Sequence, residues 1–331
     1  MKTIIIAEAG VNHNGRIDYA IKLIDEAAKA GADIVKFQHT NPELISPKAK
    51  KAKYQISNTK NNENQRSMIS KVHLDWNKSY KILIDRCRLK KIKFLTSAFS
   101  KSDYLLINKL NLDFIKIPSG EIVNIPLLES ISRSNKKILL STGMANINEI
   151  RNALKILTKY YSKKRIILFH CVSEYPTNFS DVNLKSINFL REKFKVEVGL
   201  SDHSSGTEVA IGAVALGAKF IEKHFTISKK MKGPDHIVSL EPGEFSSMVK
   251  QIRNIEQAMG KFQKKPNKKE LATSFLVRQS LHAKIDIKKG EKFNLKNICL
   301  MRPNDGLPAL NLKKIIGCKA KFSFNKYDPI K

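Results

Sequence analysis

Eight short apolar runs recur along the first 260 residues, and polar residues follow each of them. The runs cover residues 4–7, 34–36, 94–95, 114–117, 138–140, 166–169, 196–200 and 220–222. Between them, apolar residues recur at helical spacing, most clearly over residues 18–30, 78–89, 148–160, 207–216 and 242–259. A strand followed by a helix, repeated in this way, is the pattern of a closed parallel barrel. The sequence therefore predicts an α/β fold, a TIM (β/α)8 barrel, over residues 1–260.

The alternation of strand and helix is interrupted once and then ends. Residues 42–65 form a long, polar, lysine-rich excursion after the second strand, which we predict to be a loop that folds over the site. Residues 261–274 are rich in lysine and have the composition of a linker. Residues 275–331 include alternating apolar and polar positions and a turn at 288–291. A stretch of that size predicts a compact β-rich module that packs on another surface.

Side chains that can do chemistry follow almost every apolar run. In chain order they are Glu8 with Asn12 and His13, Lys36 with Gln38, Thr96 with Ser97, Ser119 with Glu121, Ser141 with Thr142, His170 with Ser173, Ser201 with Asp202 and His203, and His224. In a parallel barrel the catalytic groups lie at the C-terminal ends of the strands, around one mouth. We therefore expect these residues, which are far apart in the sequence, to meet at one site.

His203 and His224 follow consecutive predicted strands, whose ends are adjacent in a barrel. Two imidazoles with open coordination positions suit a divalent metal ion that acts as a Lewis acid on a substrate oxygen. Taken singly, each histidine is more often a hydrogen-bonded structural residue, but the pairing favours metal ligation. His13, His39 and His170 are weaker candidates, and His170 could serve only as a buried hydrogen-bonding group.

Lys36 and Lys116 each lie near the end of an otherwise apolar strand, where a lysine must reach water or meet an anion. Hydroxyls and glycine-containing turns occur beside them in the predicted barrel, at Ser119, Gly120, Ser141, Gly143 and Ser201. Cations, hydroxyls and such turns together predict a cradle for a phosphate or a carboxylate. Any one of these serines, taken alone, is explained equally well by a tight turn between strand and helix.

Three carboxylates complete the candidate site. Glu8 and Glu121 follow strands and could act as general acid or base, or orient a sugar hydroxyl. Glu8 could equally form a helix cap or a salt bridge in a loop. Asp235 follows the last strand and could bind a polyol or shape its turn.

The chain of 331 residues carries 60 Lys and Arg against 30 Asp and Glu, a formal net charge of +30. Such an excess can indicate nucleic-acid binding, but here it is spread over the whole length, which favours a lysine-rich solvated surface. No apolar run approaches the length of a membrane span. The four scattered cysteines indicate reduced thiols in a cytoplasmic protein. We therefore expect neither nucleic acid nor a membrane as a partner.

The motifs around these residues resemble those of a known enzyme family, the bacterial sialic acid synthases, which make N-acetylneuraminate or legionaminate. They are AEAGVNHNG at 7–15, VKFQ at 35–38, KIPSGE at 116–121, STGM at 141–144, HC at 170–171, EYPT at 174–177, GLSDH at 199–203, EKHFT at 222–226, GPDH at 233–236 and SLEP at 239–242. DIKKGE at 286–291 and MRPNDG at 301–306 resemble the antifreeze-like (SAF) domain that ends such enzymes. The resemblance covers nearly the full length, with the motifs in order.

The resemblance implies that phosphoenolpyruvate condenses with an N-acylated mannosamine-type sugar, giving a nine-carbon 2-keto acid and phosphate. It implies a divalent ion, Mn²⁺ or Mg²⁺, held by the residues matching His203 and His224, which polarises the sugar aldehyde while carbon 3 of phosphoenolpyruvate attacks. Water then adds at carbon 2, and phosphate leaves with C–O cleavage. Members form domain-swapped homodimers, so Arg302 would reach the N-acyl group of a sugar bound by the other subunit.

The resemblance also assigns roles to the remaining candidates. Contacts to phosphoenolpyruvate fall to Lys36, Ser97, Lys116, Ser119, Ser141, Ser173 and Ser201. Sugar and water are positioned by Glu8, Gln38, Glu121, Tyr175 and Asp235, with Phe99 lining the pocket. Two positions depart from the family: TSAF stands at 96–99 where members read STPF, and Ser173 stands where some members have Asn. The hydroxyl of Ser97 is kept, so a phosphate contact there is still expected.

Two other functions are compatible with parts of the sequence. Another metal-dependent barrel enzyme, such as an aldolase or a sugar epimerase, would need neither a phosphate cradle nor an arginine from a partner. A basic nucleic-acid-binding protein would leave the paired histidines without a role. Within the synthase family, the quoted motifs do not decide whether the product is N-acetylneuraminate or N,N'-diacetyllegionaminate.

Overall fold

The computed structural model describes residues 2–61 and 63–331, which divide into two compact units at Gly260. The first unit holds eight parallel strands, each paired with the next along the chain, and β8 pairs with β1 to close the barrel. The strands are β1 Ile4–Gly10, β2 Ile34–Gln38, β3 Lys93–Ser97, β4 Phe114–Ile117, β5 Lys137–Ser141, β6 Ile166–Cys171, β7 Glu197–Asp202 and β8 Phe220–His224. The predicted barrel is confirmed, with every strand at one of the apolar runs.

Helices follow the strands along the chain. They are α1 Ile17–Lys29, α2 Lys53–Thr59, α3 Gln65–Lys71, α4 Trp76–Leu89, α5 Lys101–Asn108, α6 Ile125–Ser132, α7 Ile147–Leu157, α8 Ser186–Phe194, α9 Glu208–Ala215 and α10 Pro242–Ala258. The five predicted helical stretches correspond to α1, α4, α7, α9 and α10. The eight- and nine-residue helices α5, α6 and α8 were not predicted, because so few turns give only a weak periodic signal.

Successive strand residues point alternately into the barrel and out toward the helices. The interior-facing positions hold one apolar layer, made of Ile6, Ile34, Leu95, Phe114, Leu139, Ile167, Phe169 and Phe220. The alternate positions, such as Ile5, Val35 and Ile115, belong to the larger core under the helices. Both faces of each strand are buried, and this explains why the strand sequences are continuous apolar runs. Two or four residues after these apolar residues, toward the C-terminal end of each strand, the side chains that face the barrel interior are polar.

The excursion over residues 42–65 is not the plain loop that its composition predicted. It contains α2 and leads into α3, and a short 3-10 turn covers Pro42–Leu44. Both helices have only seven residues, and their polar sequences hide the periodicity. The amide of Asn58 on α2 donates to the carbonyl of Pro234 (2.6 Å), in the segment that follows β8. This hydrogen bond ties the excursion to the far side of the barrel mouth.

The second unit is small and has its own core. It contains α11 Lys268–Val277, α12 Leu312–Ile315 and the antiparallel strands β9 Ser280–Ala283 and β10 Ile298–Met301. Its buried apolar residues are Leu281, Ala283, Ile287, Phe293, Ile298, Ala320 and Ile330. The second half of the linker predicted over residues 261–274 is helical, because α11 begins there behind a capping box formed by Asn267 and Glu270.

Two further observations concern the chain as a whole. Over residues 2–61 and 63–331, every helix is too short or too polar to cross a lipid bilayer. All four cysteines are free thiols.

Candidate active site

The polar residues at the C-terminal ends of the strands line one cavity of about 410 Å³. Most of the predicted site residues are found there, namely Glu8, Lys36, Gln38, Ser97, Phe99, Lys116, Ser119, Ser141, Ser173, Tyr175, Ser201, His203, His224 and Asp235. Those that lie on the strands meet because each comes two or four positions after an interior-facing residue of its strand and so points the same way. Lys36, for example, comes two positions after Ile34, and Ser141 two positions after Leu139. The sequence prediction of one shared mouth therefore agrees with their placement.

Other candidates that follow the strands do not line this cavity, namely Asn12, His13, Thr96, Thr142, His170 and Asp202. Two residues to which the resemblance assigns a role also lie elsewhere. Glu121 follows β4 but lines an adjoining cavity, where its carboxylate accepts a hydrogen bond from Asn124 (2.6 Å). Burial raises the pKa of Glu121, while the Asn124 hydrogen bond acts against that change. Arg302 belongs to the second unit, where it is exposed just after β10, so its contact with a sugar stays a prediction.

A buried network of opposite charges forms the floor of the cavity. The carboxylate of Glu222 lies 2.9 Å from the ammonium of Lys116 and 3.7 Å from that of Lys36. Glu8 lies 2.7 Å from Lys36 and accepts a hydrogen bond from Gln38 (3.0 Å). The two lysines are thus held side by side with their charges matched, because unmatched buried charges would cost several kcal/mol each.

The pKa shifts in this network follow from burial and from the neighbouring charges. Burial acts to raise the pKa of Glu222, but Lys116 and Lys36 outweigh it and lower that pKa to about 2. Burial lowers the pKa of Lys116, and Glu222 offsets only part of this effect. For Lys36 the attraction of Glu222 and Glu8 exceeds the effect of burial, so its pKa is raised. Lys36 therefore stays charged at neutral pH.

Hydroxyls and a glycine complete an anion cradle beside the lysines. The backbone N–H of Gly143 donates to the hydroxyl of Ser119 (3.1 Å). A Cβ atom at Gly143 would lie 2.3 Å from the hydroxyl oxygen of Ser173 and 2.8 Å from that of Ser119. Any side chain at this position would therefore displace the two hydroxyls from their places in the cradle. Ser97 is buried, and its hydroxyl has no hydrogen-bond partner among the described residues, which leaves it available to a bound anion.

His203 and His224 face each other, with ring centroids 5.6 Å apart. The Nδ1 atom of His203 is hydrogen-bonded to the carbonyl of Val172 (2.6 Å), which requires a proton on Nδ1 and leaves the lone pair on Nε2. The Nδ1 atom of His224 is buried without a partner in the described part of the chain. One fixed tautomer and one orphaned ring nitrogen are properties expected of a pair of metal ligands.

The electrostatic surroundings of the two histidines differ. Burial, His203 and Lys36 all lower the pKa of His224 well below its ordinary value, so this ring is neutral and can act as a ligand. Burial also acts to lower the pKa of His203, but the Cys171 thiol and the Val172 carbonyl outweigh it and raise that pKa. Among the described residues, no group of three or more His, Cys, Asp or Glu could enclose an ion. Two imidazoles would leave the other coordination positions to water and substrate.

Glu8 and Asp235 approach each other across the left-handed Gly10, whose added Cβ would lie 3.4 Å from one carboxylate and 3.7 Å from the other. Burial and the charge of Glu8 raise the pKa of Asp235 to about 7. Burial also raises the pKa of Glu8, although Lys36 opposes this effect. A carboxyl group that titrates near neutrality beside a second carboxylate is suited to proton transfer.

Aromatic rings cover the histidine side of the cavity. The Tyr175 ring lies 4.1 Å from that of His203 and 5.6 Å from that of His224. Tyr54, from α2, stacks on Tyr175 with ring centroids 4.8 Å apart, and its hydroxyl accepts a hydrogen bond from Gln55 (3.3 Å). The excursion therefore contributes directly to the wall of the site.

The chain matches a known protein family over most of its length. Residues 23–264 match the NeuB family. The chain is 50% identical to the N,N'-diacetyllegionaminic acid synthase of Campylobacter jejuni, over 96% of this chain and 95% of that one. The chain belongs to the NeuB family. Its resemblance to the sialic acid synthases is confirmed, and it is an enzyme of that class.

Two further relatives agree with this NeuB assignment. The N,N'-diacetyllegionaminic acid synthase of Legionella pneumophila is 36% identical, with 98% of this chain and 92% of that protein covered. The crystal structure of the N-acetylneuraminic acid synthetase of Leptospira borgpetersenii superposes with a TM-score of 0.72 at 34% identity. That comparison covers 82% of this chain and 90% of the other.

The site of this NeuB protein contains residues that the sequence analysis did not single out. Glu222 and Cys171 lie on the interior faces of β8 and β6, and a strict count of alternate positions from Phe220 and Phe169 would have found them. Tyr54 and Gln55 come from α2, and no periodic signal points to them. Of the weaker candidates, His170 is bonded to the carbonyl of Val182 (2.6 Å) outside the cavity, which is a structural role.

Proposed function

We propose that this chain condenses phosphoenolpyruvate with an N-acylated mannosamine-type sugar to give a nonulosonic acid and phosphate. The observation that carries the proposal is the single cavity that places the Lys36, Lys116 and serine cradle beside His203 and His224. An anionic three-carbon substrate and an aldehyde need these two kinds of subsite next to each other. The epimerase and nucleic-acid alternatives use only part of this arrangement.

The cradle explains how phosphoenolpyruvate binds. Its phosphate and carboxylate meet the ammonium groups of Lys36 and Lys116, and the hydroxyls of Ser97 and Ser119 donate to the remaining oxygens. Glu222 holds both ammonium groups in place before the substrate arrives, so little reorganisation is needed. Carbon 3 of the enol ester is thereby directed toward the sugar aldehyde.

The carboxyl groups of Glu8 and Asp235 account for the proton transfers. As the C–C bond forms, the aldehyde oxygen becomes a hydroxyl and takes up a proton. Water adds at carbon 2 and gives up one proton. Phosphate then leaves with its bridging oxygen and takes the second proton, so that the water oxygen becomes the carbonyl oxygen of the 2-keto acid. Asp235, which titrates near pH 7, can carry a proton in either direction between these steps.

The residues present fit a divalent ion, Mn²⁺ or Mg²⁺, at His203 and His224. The orphaned Nδ1 of His224 and the fixed tautomer of His203 support this assignment. When bound, the ion would supply Lewis-acid polarisation to a substrate oxygen. Imidazole ligands favour Mn²⁺ over the harder Mg²⁺.

The proposed sugar is 2,4-diacetamido-2,4,6-trideoxymannose, which gives N,N'-diacetyllegionaminate. This choice rests on the identity of 50% with the Campylobacter jejuni synthase across almost the whole of both chains. We further propose that the enzyme acts in the cytoplasm as a domain-swapped homodimer in which Arg302 serves the other subunit. Neither nucleic acid nor a membrane takes part in this proposal.

The test is an assay with phosphoenolpyruvate, Mn²⁺ and each candidate sugar in turn, following phosphate release and identifying the product by mass. We expect phosphate in equal amounts to a nonulosonic acid, most rapidly with the diacetamido sugar. Chelation should abolish turnover and Mn²⁺ should restore it. Phosphate release without a nine-carbon or longer keto acid would contradict the proposal.

A further inference from the structure

A second cavity of about 510 Å³ adjoins the reaction cavity and lies wholly within the first unit. The two cavities share a wall made of Gln38, Gln55, Gln65, Ile69 and Phe99. The residues that line the second cavity alone include Asn41, Leu44, Ile45, Glu121 and Asn124. We call this space the side cavity. A substrate held in the reaction cavity can extend into it past the shared wall.

The lining of the side cavity shows what kind of group would fit. The described residues that line it include no lysine or arginine, whereas the reaction cavity contains Lys36 and Lys116. The one charged side chain in this described lining is the carboxylate of Glu121, which would repel a phosphate or a carboxylate. The group that fits is therefore neutral.

Apolar and amide side chains share the rest of the lining. Leu44, Ile45 and Ile69 offer aliphatic surface, which suits a methyl group. The side-chain amide of Gln65 makes no hydrogen bond with the described residues, so it can donate to a carbonyl oxygen. One oxygen of Glu121 is bonded to Asn124, and the other is available to accept from an N–H group. A methyl, a carbonyl and an N–H together make an N-acyl group.

We propose that the side cavity binds the second N-acyl substituent of the sugar, the one at carbon 4, remote from the aldehyde. This inference rests on the proposed function and adds to it a residue set that selects a diacylated sugar. The excursion over residues 42–65 thus supplies specificity through Leu44 and Ile45, while Glu121 recognises the substituent.

The experiment fills the side cavity without touching the reaction cavity. Ile45→Phe adds bulk at a residue that lines the side cavity alone, and Ile56→Phe is the matched control, since Ile56 is exposed on α2 and lines neither cavity. Each variant is assayed with 2,4-diacetamido-2,4,6-trideoxymannose and with 2-acetamido-2,6-dideoxymannose, which has a hydroxyl at carbon 4. The KM for phosphoenolpyruvate reports whether the reaction cavity is intact.

For Ile45→Phe we expect kcat/KM for the diacetamido sugar to fall at least tenfold, while the 4-hydroxy sugar changes less than twofold. Ile56→Phe should match wild type with both sugars. Equal losses with both sugars, or no loss with either, would overturn the proposal. If wild-type protein releases no phosphate with either sugar at an intact phosphoenolpyruvate site, the proposed function fails, which is a different result.

The neutrality of the side cavity is tested with a charged acceptor. An analogue of the diacetamido sugar whose carbon 4 acetyl group is replaced by a succinyl group, which ends in a carboxylate, should be used at least a hundredfold less efficiently than the diacetamido sugar. Comparable use of the two would overturn the inference that Glu121 faces a neutral substituent.

Discussion

Among single residues, Glu222 has the clearest energetic role, because its one carboxylate lies beside two buried lysines. Glu222→Gln keeps the size and shape of the side chain but removes its negative charge, so that Lys36 and Lys116 are no longer fully balanced by nearby carboxylates. Breaking such a buried pair costs about 3–5 kcal/mol. We expect the free energy of unfolding to fall by an amount near the lower end of that range, because the amide oxygen still accepts a hydrogen bond and Glu8 remains beside Lys36.

Denaturant unfolding with and without phosphoenolpyruvate would measure this loss. The anion should stabilise Glu222→Gln more than it stabilises wild type, because it supplies the missing negative charge. Asp113→Asn, which breaks an exposed pair with Lys93, is the control and should change stability little. Equal stabilisation of wild type and Glu222→Gln by the ligand would argue against a shared anion site.

The titration of Asp235 should change how the free energy of unfolding depends on pH. Its carboxyl titrates near pH 7 in the folded protein and near about 4 in the unfolded chain. Between those values the folded state binds more protons, so the free energy of unfolding contributed by Asp235 falls as the pH rises. Asp235→Asn lacks this contribution and should gain stability relative to wild type over that interval. Unfolding curves at several pH values would measure the difference, and a difference independent of pH would contradict the assignment.

At the scale of elements, α2 is the part of the site that is not built on the barrel. It contributes Tyr54 to the cavity and is fastened by the hydrogen bond from Asn58 to Pro234. Asn58→Ala should loosen α2 by about 1 kcal/mol, so amide hydrogen exchange in residues 53–59 should quicken severalfold. We expect KM for the sugar to rise while KM for phosphoenolpyruvate stays constant.

Asn77→Ala is the matched control for this experiment. Asn77 is an exposed asparagine near the start of α4 and lines neither cavity. Its replacement should leave exchange in α2 and both KM values unchanged. Unchanged exchange in Asn58→Ala as well would mean that α2 is held by its other contacts, such as the stacking of Tyr54 on Tyr175.

The elements also explain which parts of the site the sequence could predict. Successive side chains of a strand point to opposite faces of the sheet. His224, four positions after the interior residue Phe220, must therefore also point into the barrel. Barrel closure then brings distant strand ends together, which is why the histidines and both lysines were foreseen. Tyr54 was not, because α2 has seven residues and its position depends on individual side-chain contacts, such as Asn58 with Pro234 and Tyr54 with Tyr175, rather than on a repeating pattern.

At the scale of the whole molecule, the proposed domain swap makes a prediction that concerns two chains. His203→Ala inactivates a barrel but keeps Arg302, whereas Arg302→Ala keeps the barrel but loses the arginine. If the arginine serves the other subunit, a mixed dimer contains one site with both groups intact. Random pairing would then restore at most about a quarter of the wild-type sites.

The two variants would be unfolded together, refolded as a mixture and assayed at low sugar concentration, where loss of Arg302 matters most. Activity should exceed the sum of the separate variants. His203→Ala mixed with His224→Ala is the control, since both lie in the same barrel and no pairing repairs it. If the first mixture shows no more activity than its parts, Arg302 acts within its own chain or not at all, because no mixed dimer would then assemble a complete site.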